Sequence, residues 1–188
     1  KSNKQKRVFK KGHKLYIEPD YSFPVITWHP LGEILSVFYE EKGSLFWLRY
    51  NVISKEKKID KIIQLEKILE AGYSQDGQKM VFSAVKNGKT DIYVYDIRAR
   101  SHEQITDDYF DDRSPVFLNG LNSIVFSSNR TNDTMSVEGR ENFVYQKNTD
   151  LFLYNYKNKK GYKFSNQVLR RITKTPFENE SQPYALSN

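Results

Sequence analysis

The sequence YSQDGQKMVFSAVKNGKTDIYVYDIRARSHEQIT, from Tyr73 to Thr106, decides the fold of this chain. It places an Asp-Gly pair (Asp76-Gly77) and an Asn-Gly pair (Asn87-Gly88) between short runs of apolar residues. Such pairs are strong local signals of a β-hairpin, because both central residues of a type I′ turn need a positive φ. We therefore predict an antiparallel meander of short strands over this stretch, with a type I′ turn at each pair.

The same pattern recurs along the chain. Five positions of an earlier segment match this stretch at one constant displacement of 45 residues: 28, 32, 35, 43 and 50 match 73, 77, 80, 88 and 95. A third copy begins at Tyr109 and carries an insertion of 15 residues within Asn129–Thr149. The stretch Asn179–Tyr184 then restarts the pattern of Asp111–Val116. One displacement that holds across several positions indicates a structural repeat more strongly than any single match does.

Units of about 40–45 residues that each form a four-stranded antiparallel meander are typical of β-propeller blades. We predict an all-β chain with about three complete blades and partial blades at both ends. A basic arm covers residues 1–14, and the propeller portion covers 15–188, with blades at about 23–68, 69–108 and 109–176 and the start of a further blade at 177–188. Residues 53–69 fit a helix as well as a strand when taken alone, and the repeat favours a strand near Ile62–Leu65.

Propellers typically contain four to eight blades. We therefore expect this chain to belong to a longer polypeptide, with the assembly of several copies into one ring as the alternative. No apolar run reaches 18 residues, so no membrane span is predicted. No signal peptide is visible in the sequence, and the absence of cysteine excludes disulfides while fitting both the cytosol and the periplasm.

The net charge of +7 is confined to the N-terminal arm. Residues 1–14 carry seven basic and no acidic side chains, while the rest of the chain carries 23 of each sign. A basic arm can bind phosphate or anionic lipid, but a solvated terminus is the simpler interpretation. Because the body of the chain is neutral, we predict no nucleic-acid partner.

Several segments resemble the TolB-type, WD-like propeller repeat, and the resemblance extends over roughly residues 15–188. These segments are Ser74–Ser83, Asp91–Asp96, Gln104–Thr106, Asp112–Phe117, Ser127–Arg130 and Leu169–Thr173. The resemblance implies a bacterial protein of the periplasm or cell surface that docks other envelope proteins. Similar repeats also form the gating propeller of prolyl-oligopeptidase-type serine peptidases, which is the alternative function, because fold alone does not separate the two.

The sequence contains no recognisable catalytic or cofactor-binding constellation. It has neither a Gly-x-Ser-x-Gly elbow nor a Gly-rich phosphate loop. We therefore predict no enzymatic activity in this chain, no cofactor and no metal. The acidic residues of Asp107–Asp112 are of a type that ligates Ca²⁺, but we interpret them as an exposed connection. The aromatic residues Trp28, Trp47, Tyr93, Tyr95 and Tyr154 are interpreted as blade packing rather than as a stacking platform for a ligand.

The topology of a meander predicts where a partner would bind. The loop between the second and third strands of a blade lies at the same end as the connection to the next blade. The insertion Asn129–Thr149 and the connections Thr106–Ser114 and Thr173–Gln182 should therefore share one face, whose mixed charges and aromatic residues suit a protein partner. A surface hairpin without a partner is the alternative. The candidate contact residues are Asp111, Asp112, Arg113, Arg130, Arg140, Phe143, Tyr145 and Glu180.

Overall fold

The computed structural model describes residues 7–8, 24–118, 123–131, 147–155 and 169–185. Within these ranges the protein is all β, with three four-stranded antiparallel sheets and no helix. The strands are β1 Val25–Trp28, β2 Ile34–Glu41, β3 Ser44–Asn51, β4 Lys57–Ile62, β5 Lys67–Tyr73, β6 Lys79–Lys86, β7 Lys89–Asp96, β8 Ser101–Gln104, β9 Asp112–Leu118, β10 Ser123–Ser128, β11 Asp150–Asn155 and β12 Leu169–Arg171.

Each sheet is a meander in which consecutive strands are neighbours. We call the sheet β1–β4 blade 1, the sheet β5–β8 blade 2 and the sheet β9–β12 blade 3. The predicted four-stranded blades are thus confirmed. The strand predicted near Ile62–Leu65 exists but lies earlier, at Lys57–Ile62, because the register pairs Leu45 with Ile62 and Tyr50 with Lys57. Among the described residues, no helix has the length and apolar character needed to cross a bilayer.

The turns follow the residues that occupy them. Asn87 and Gly88 both have positive φ, 52° and 71°, as the predicted type I′ turn requires. At Asp76-Gly77 the prediction of a type I′ turn was wrong, because only Gly77 has a positive φ, of 68°. There the Gly77 N–H donates to the Ser74 carbonyl at 2.9 Å, and the Ser74 hydroxyl donates to Asp76 Oδ1 at 2.6 Å. Local hydrogen bonds from Ser and Asp side chains therefore fix a longer turn.

Blades 1 and 2 pack face to face through large aromatic side chains. Phe38 and Trp47 of blade 1 meet Phe82 and Tyr95 of blade 2, with ring centroids 5.2 Å apart for Phe38–Phe82 and 5.7 Å apart for Trp47–Tyr95. The buried Trp47 indole N–H donates to Ser36 Oγ at 2.9 Å, so its polar group is satisfied inside the junction. Face-to-face packing is what allows a meander to bury its apolar residues.

Blades 2 and 3 form a second junction of the same kind, with an aliphatic surface on blade 2 and an aromatic one on blade 3. The buried cluster consists of Val81, Ile92, Val94, Ile105, Ile124, Phe126, Phe152, Tyr154 and Leu169. The prediction that the repeated aromatic residues pack blades is confirmed for Trp47, Tyr93, Tyr95 and Tyr154, which are buried. Trp28 is different, because 52% of it is exposed.

Candidate functional site: the loop face and its buried ion cluster

The loops between second and third strands contact the connections between blades. In blade 2 the Asn87 N–H donates to Glu66 Oε1 at 2.7 Å, which ties the β6–β7 turn to the segment that enters the blade. In blade 3 the Thr149 N–H donates to Asn179 Oδ1 at 3.1 Å, and the Glu180 N–H donates to the Thr149 carbonyl at 2.9 Å. The described ends of these loops therefore share one side of the molecule, while residues 132–146 of the predicted insertion lie outside the described residues. We call this side, formed by residues 63–66, 87–88, 105–111, 129–131, 147–149 and 172–180, the loop face.

A buried arginine lies directly beneath the loop face. Arg130 follows β10, and none of its surface is exposed. Its Nη2 donates to both carboxylate oxygens of Asp112, at 2.9 and 2.7 Å, and lies 3.2 Å from Asp108 Oδ2. Its Nε donates to Ser128 Oγ at 2.9 Å. A delocalised guanidinium with several fixed donors is well suited to such a site, because it can satisfy more than one acidic acceptor without leaving the interior.

Aromatic rings surround the same guanidinium. Its Cζ lies 5.3 Å from the centroid of Phe110 and 5.5 Å from the centroids of Phe126 and Phe152. Cations are attracted to the faces of aromatic rings at such distances, and the attraction grows when water is excluded. Arg130 thus joins the connection that carries Phe110 to strands β10 and β11 of blade 3.

A third carboxylate brings negative charge in excess of this one guanidinium. Asp91, Asp108 and Asp112 are all buried, and each offers an oxygen within 4.8 Å of the other two. Asp91 belongs to blade 2, where it accepts a hydrogen bond from Gln104 Nε2 at 3.1 Å and one from the Asp108 N–H at 3.3 Å. We call Asp91, Asp108, Asp112 and Arg130 the ion cluster.

Burial and the neighbouring charges shift the pKa of three members of the ion cluster. Burial, reinforced by the neighbouring Asp112 and Asp108, raises the pKa of Asp91 from its ordinary 3.8 to about 7. Burial also raises the pKa of Asp108 to about 6, although the charge of Arg130 opposes this. Burial by itself lowers the pKa of Arg130. The negative charges of Asp112 and Asp108 have the larger combined effect, so the pKa of Arg130 is raised.

The oxygens of the three carboxylates are close enough to ligate a hard cation. However, the guanidinium of Arg130 already lies against both Asp108 and Asp112. We therefore assign the ion cluster a structural role: it fastens blade 2 to blade 3 and holds the connection between them. The interpretation of Asp107–Asp112 as a wholly exposed acidic connection was wrong, because Asp108 and Asp112 turn inward to Arg130 while Asp107 and Asp111 remain exposed.

Blade 3 repeats part of this arrangement with a different charge balance. Asp150 occupies the position of Asp91 at the start of a third strand, and its carboxylate pairs with Arg171, where blade 2 has Gln104. Asp150 Oδ1 also accepts the Thr175 N–H at 3.2 Å, as Asp91 accepts the Asp108 N–H. The two aspartates are thus equivalent in the repeat, but only Asp150 faces a cation on its neighbouring strand.

Five of the eight predicted contact residues are described, and they fall into three groups by their burial. Asp112 and Arg130 are buried in the ion cluster, so they support the loop face from below and present no surface to a partner. Asp111 and Arg113 are exposed, and Arg113 Nε lies 3.2 Å from Glu70 Oε2 of blade 2. Glu180 is partly buried and accepts the Thr175 hydroxyl at 2.8 Å. The remaining three residues, Arg140, Phe143 and Tyr145, lie outside the described residues.

Sequence reasoning missed one residue of the loop face, Phe177, which is 91% exposed. The connection that carries it is held by Asn148 Nδ2, which donates to the Pro176 carbonyl at 3.0 Å. The signal for Phe177 was present in the repeat, because it lies as far after Thr173 as Phe110 lies after Thr106. Phe110 packs on Arg130, whereas Phe177 projects into solvent.

Comparison with known proteins supports the architecture. No protein-family model matches the chain, and no curated protein matches it. Among solved structures, TolB from Acinetobacter baumannii is similar, with a TM-score of 0.53 at 18% identity over 80% of this chain and 31% of that one. The tricorn protease is similar with a TM-score of 0.52 at 14% identity, over 79% of this chain and 17% of that one. The chain therefore has a TolB-like β-propeller fold and spans less than a third of these relatives.

Proposed function

We propose that this chain is part of a non-enzymatic β-propeller scaffold whose loop face binds another protein of the bacterial cell envelope. The observation that carries the proposal is an exposed aromatic side chain, Phe177, on a connection that Asn148 and Thr149 hold in place just before β11. Aromatic residues are enriched among the anchors of protein interfaces, because they bury a large area at a small cost in side-chain entropy.

Charged residues on the same face supply the polar surroundings that such an anchor requires. Asp111 and Arg113 are exposed beside the connection between blades 2 and 3, and Glu178 is exposed next to Phe177. An apolar centre with a polar rim is the usual anatomy of a protein interface. The ion cluster lies under this surface and keeps its backbone fixed, which lowers the ordering cost of binding.

The location in the periplasm or at the cell surface rests on the resemblance to TolB-type repeats. The TolB-like fold supports this location. Fold similarity at 18% identity indicates a shared architecture, and it does not identify a partner. The partner is accordingly described by its chemistry: a protein that offers an apolar pocket for an aromatic ring, bordered by charges of both signs.

A photo-crosslinking experiment tests the proposal. A photoreactive phenylalanine analogue is placed at Phe177 or at Asp111 of the tagged chain, which is irradiated with bacterial envelope extract, and the adducts are identified by mass spectrometry. The control carries the analogue at Leu31, which is 77% exposed on the β1–β2 turn at the opposite end of the strands. We expect the same protein to be crosslinked from both loop-face positions and not from Leu31.

The variant Phe177→Ala provides the quantitative arm of this test. We expect it to reduce capture of that protein at least tenfold and to leave the thermal unfolding curve unchanged, because the side chain makes little contact with its own blade. Equal capture by the Phe177→Ala and Leu31→Ala variants, or adducts that do not differ between the two faces, would rule out the loop face as the binding surface.

The similarity to the tricorn protease favours one alternative, a gating propeller of a prolyl-oligopeptidase-type serine peptidase with its catalytic domain outside this chain. The sequence of the complete gene distinguishes the two functions. An α/β-hydrolase segment with a Gly-x-Ser-x-Gly turn in the same polypeptide would replace the scaffold proposal by the gating one.

A further inference from the structure

The junction of blades 1 and 2 is polar at positions where the junction of blades 2 and 3 is apolar. On blade 2, four buried apolar residues belong to the cluster shared with blade 3, and the displacement of 45 residues relates each of them to a residue of blade 1. The two sets are Val81, Ile92, Val94 and Ile105, and Ser36, Trp47, Arg49 and Asp60. Because apolar residues suffice to pack these positions in blade 2, the two charged residues of blade 1 indicate a further role.

Hydrogen bonds inside the junction account for the two uncharged members of the blade 1 set. The Trp47 indole N–H donates to Ser36 Oγ at 2.9 Å, and the hydroxyl oxygens of Ser36 and Tyr73 lie 2.7 Å apart. These bonds connect blade 1 to blade 2 without any charged group. Arg49 and Asp60 are therefore not needed to complete this network.

The guanidinium of Arg49 is fixed in position, and part of its capacity for hydrogen bonds is unused. Its Cζ lies 4.2 Å from the centroid of the Trp47 ring, and its Nη2 donates to Asp60 Oδ2. Its Nε is buried and has no hydrogen-bond partner among the described residues. Nε and Nη2 form one edge of the guanidinium, which can offer two parallel N–H donors to a carboxylate. Asp60 engages only one of these two donors.

A second guanidinium lies beside the same carboxylate. Arg100 belongs to the turn between β7 and β8 of blade 2, and its Nη1 is 4.0 Å from Asp60 Oδ1, too far for a hydrogen bond. The side chain of Arg100 is 63% exposed. The guanidiniums of Arg49 and Arg100 thus share one carboxylate between them, which leaves one positive charge in excess.

The titration of Tyr95 shows that both positive charges act at this place. Burial raises the pKa of Tyr95, and the charges of Arg49 and Arg100 oppose this effect. Asp96 acts in the same direction as burial, but its carboxylate is engaged in the turn, where Oδ1 accepts the Ala99 N–H at 2.8 Å. An anion bound between the two arginines would therefore be stabilised by both charges.

We propose that Arg49 and Arg100 bind the carboxylate group of a small organic acid at the junction of blades 1 and 2, on the side opposite the loop face. Arg49, held against Trp47, supplies the oriented N–H donors, and the exposed Arg100 approaches the bound group from the β7–β8 turn. A carboxylate matches the planar edge of a guanidinium and carries the one negative charge that balances the excess. This site is separate from the loop face and goes beyond the proposed function.

The fluorescence of Trp47 can report binding directly. The protein has two tryptophans, so in a Trp28→Phe background the tryptophan emission comes from Trp47, which lies against Arg49. Sodium acetate is titrated into this protein at neutral pH and constant ionic strength, with sodium chloride and sodium phosphate in parallel titrations. We expect a saturable change with acetate, no saturable change with chloride, and weaker binding of phosphate than of acetate.

Variants in the same background separate binding from a structural role. Arg49→Val combined with Asp60→Ile places at this junction the apolar pair that blade 2 has at the equivalent positions. We expect this double variant to keep its unfolding temperature and to lose the acetate response. Arg100→Gln should weaken acetate binding by a factor of at least about ten, because a hydrogen bond to a charged group typically contributes that much. The matched control Arg98→Gln, at an exposed residue of the same turn, should leave acetate binding unchanged.

Several outcomes would overturn the proposal. These are an acetate response no stronger than the chloride response, an acetate response retained by the double variant, and equal affinities of Arg100→Gln and Arg98→Gln. Tighter binding of phosphate than of acetate would contradict the assignment of a carboxylate ligand. Should the double variant fail to fold, Arg49→Lys, which keeps the charge but loses the paired donors, must weaken acetate binding at an unchanged unfolding temperature for the proposal to stand.

Discussion

Replacing Asp91 with asparagine should stabilise the protein above neutral pH, although it removes a buried charged group. Asp91 belongs to a cluster of three buried carboxylates, of which Asp108 and Asp112 contact the guanidinium of Arg130. The pKa of Asp91 is raised to about 7, mainly by burial and then by Asp112 and Asp108. Because the folded protein holds this proton more tightly than the unfolded chain does, the free energy of unfolding falls as the pH rises from about 4 to about 7.

The size of the effect follows from that interval. The difference between the ordinary pKa of 3.8 and the raised value of about 7 corresponds to an upper limit on the order of 4 kcal/mol at pH 8. Asparagine avoids this cost but gives up about 1 kcal/mol of hydrogen bonding, because its amide replaces an oxygen that accepts from Gln104 Nε2. We expect Asp91→Asn to gain about 1–3 kcal/mol at pH 8 and to gain nothing at pH 4.5, where Asp91 is already protonated.

Urea unfolding followed by circular dichroism, at pH values from 4.5 to 8, measures this difference. Asp150→Asn is the matched control, since Asp150 holds the same place in blade 3 but faces Arg171 instead of a glutamine. That variant leaves Arg171 without its carboxylate and should lose about 1–3 kcal/mol at pH 8. If Asp91→Asn loses as much stability at pH 8 as Asp150→Asn does, the inferred excess of negative charge in the ion cluster is wrong.

Two further pairs of substitutions test the contacts that join the blades. Arg130→Met should lower the free energy of unfolding by about 3–5 kcal/mol at pH 8, because it leaves buried carboxylates without their cation. Arg113→Met removes a half-exposed ion pair with Glu70 and should lower it by less than about 1 kcal/mol. Equal losses for the two variants in urea unfolding would contradict this. Gly77→Ala should lower stability more than Gly88→Ala, although both glycines have positive φ, because a Cβ at Gly77 would lie 2.1 Å from His29 Nε2 while the space at Gly88 is open. Equal unfolding temperatures for the two alanine variants would show that blade 1 does not press on this turn.

The fold was predictable because its causes are local and repeated. Alternation of apolar residues specifies strands, and Asn87-Gly88 specifies a tight turn, without reference to anything distant in the chain. The displacement of 45 then shows that the unit recurs, and a recurring meander must bury its faces against its neighbours. The one position error, β4, fell on Lys57–Ile62, where exposed lysines interrupt the apolar pattern on an outer strand.

The candidate site was less predictable because burial there depends on partners from different blades. The sequence places Arg130 and Asp112 among the candidate contact residues, but it does not indicate that they are buried as an ion pair. Phe177 was overlooked because a single aromatic in a connection is ambiguous until the neighbouring side chains are known. Trp28 shares its repeat position with the partly buried Tyr73, and nothing in the sequence indicates that Trp28 is 52% exposed.

The sequence by itself determined the all-β class, the four-stranded unit, the repeat and the side on which the connections gather. These features follow from side-chain alternation and turn chemistry, which act over a few residues. Only the tertiary structure decided which acidic residues are buried, because Asp108 and Asp112 are distinguished from Asp107 and Asp111 by whether they face Arg130. It also decided the place of Val8, since a sequence shows the charge of a segment but not the surface on which one of its residues lies.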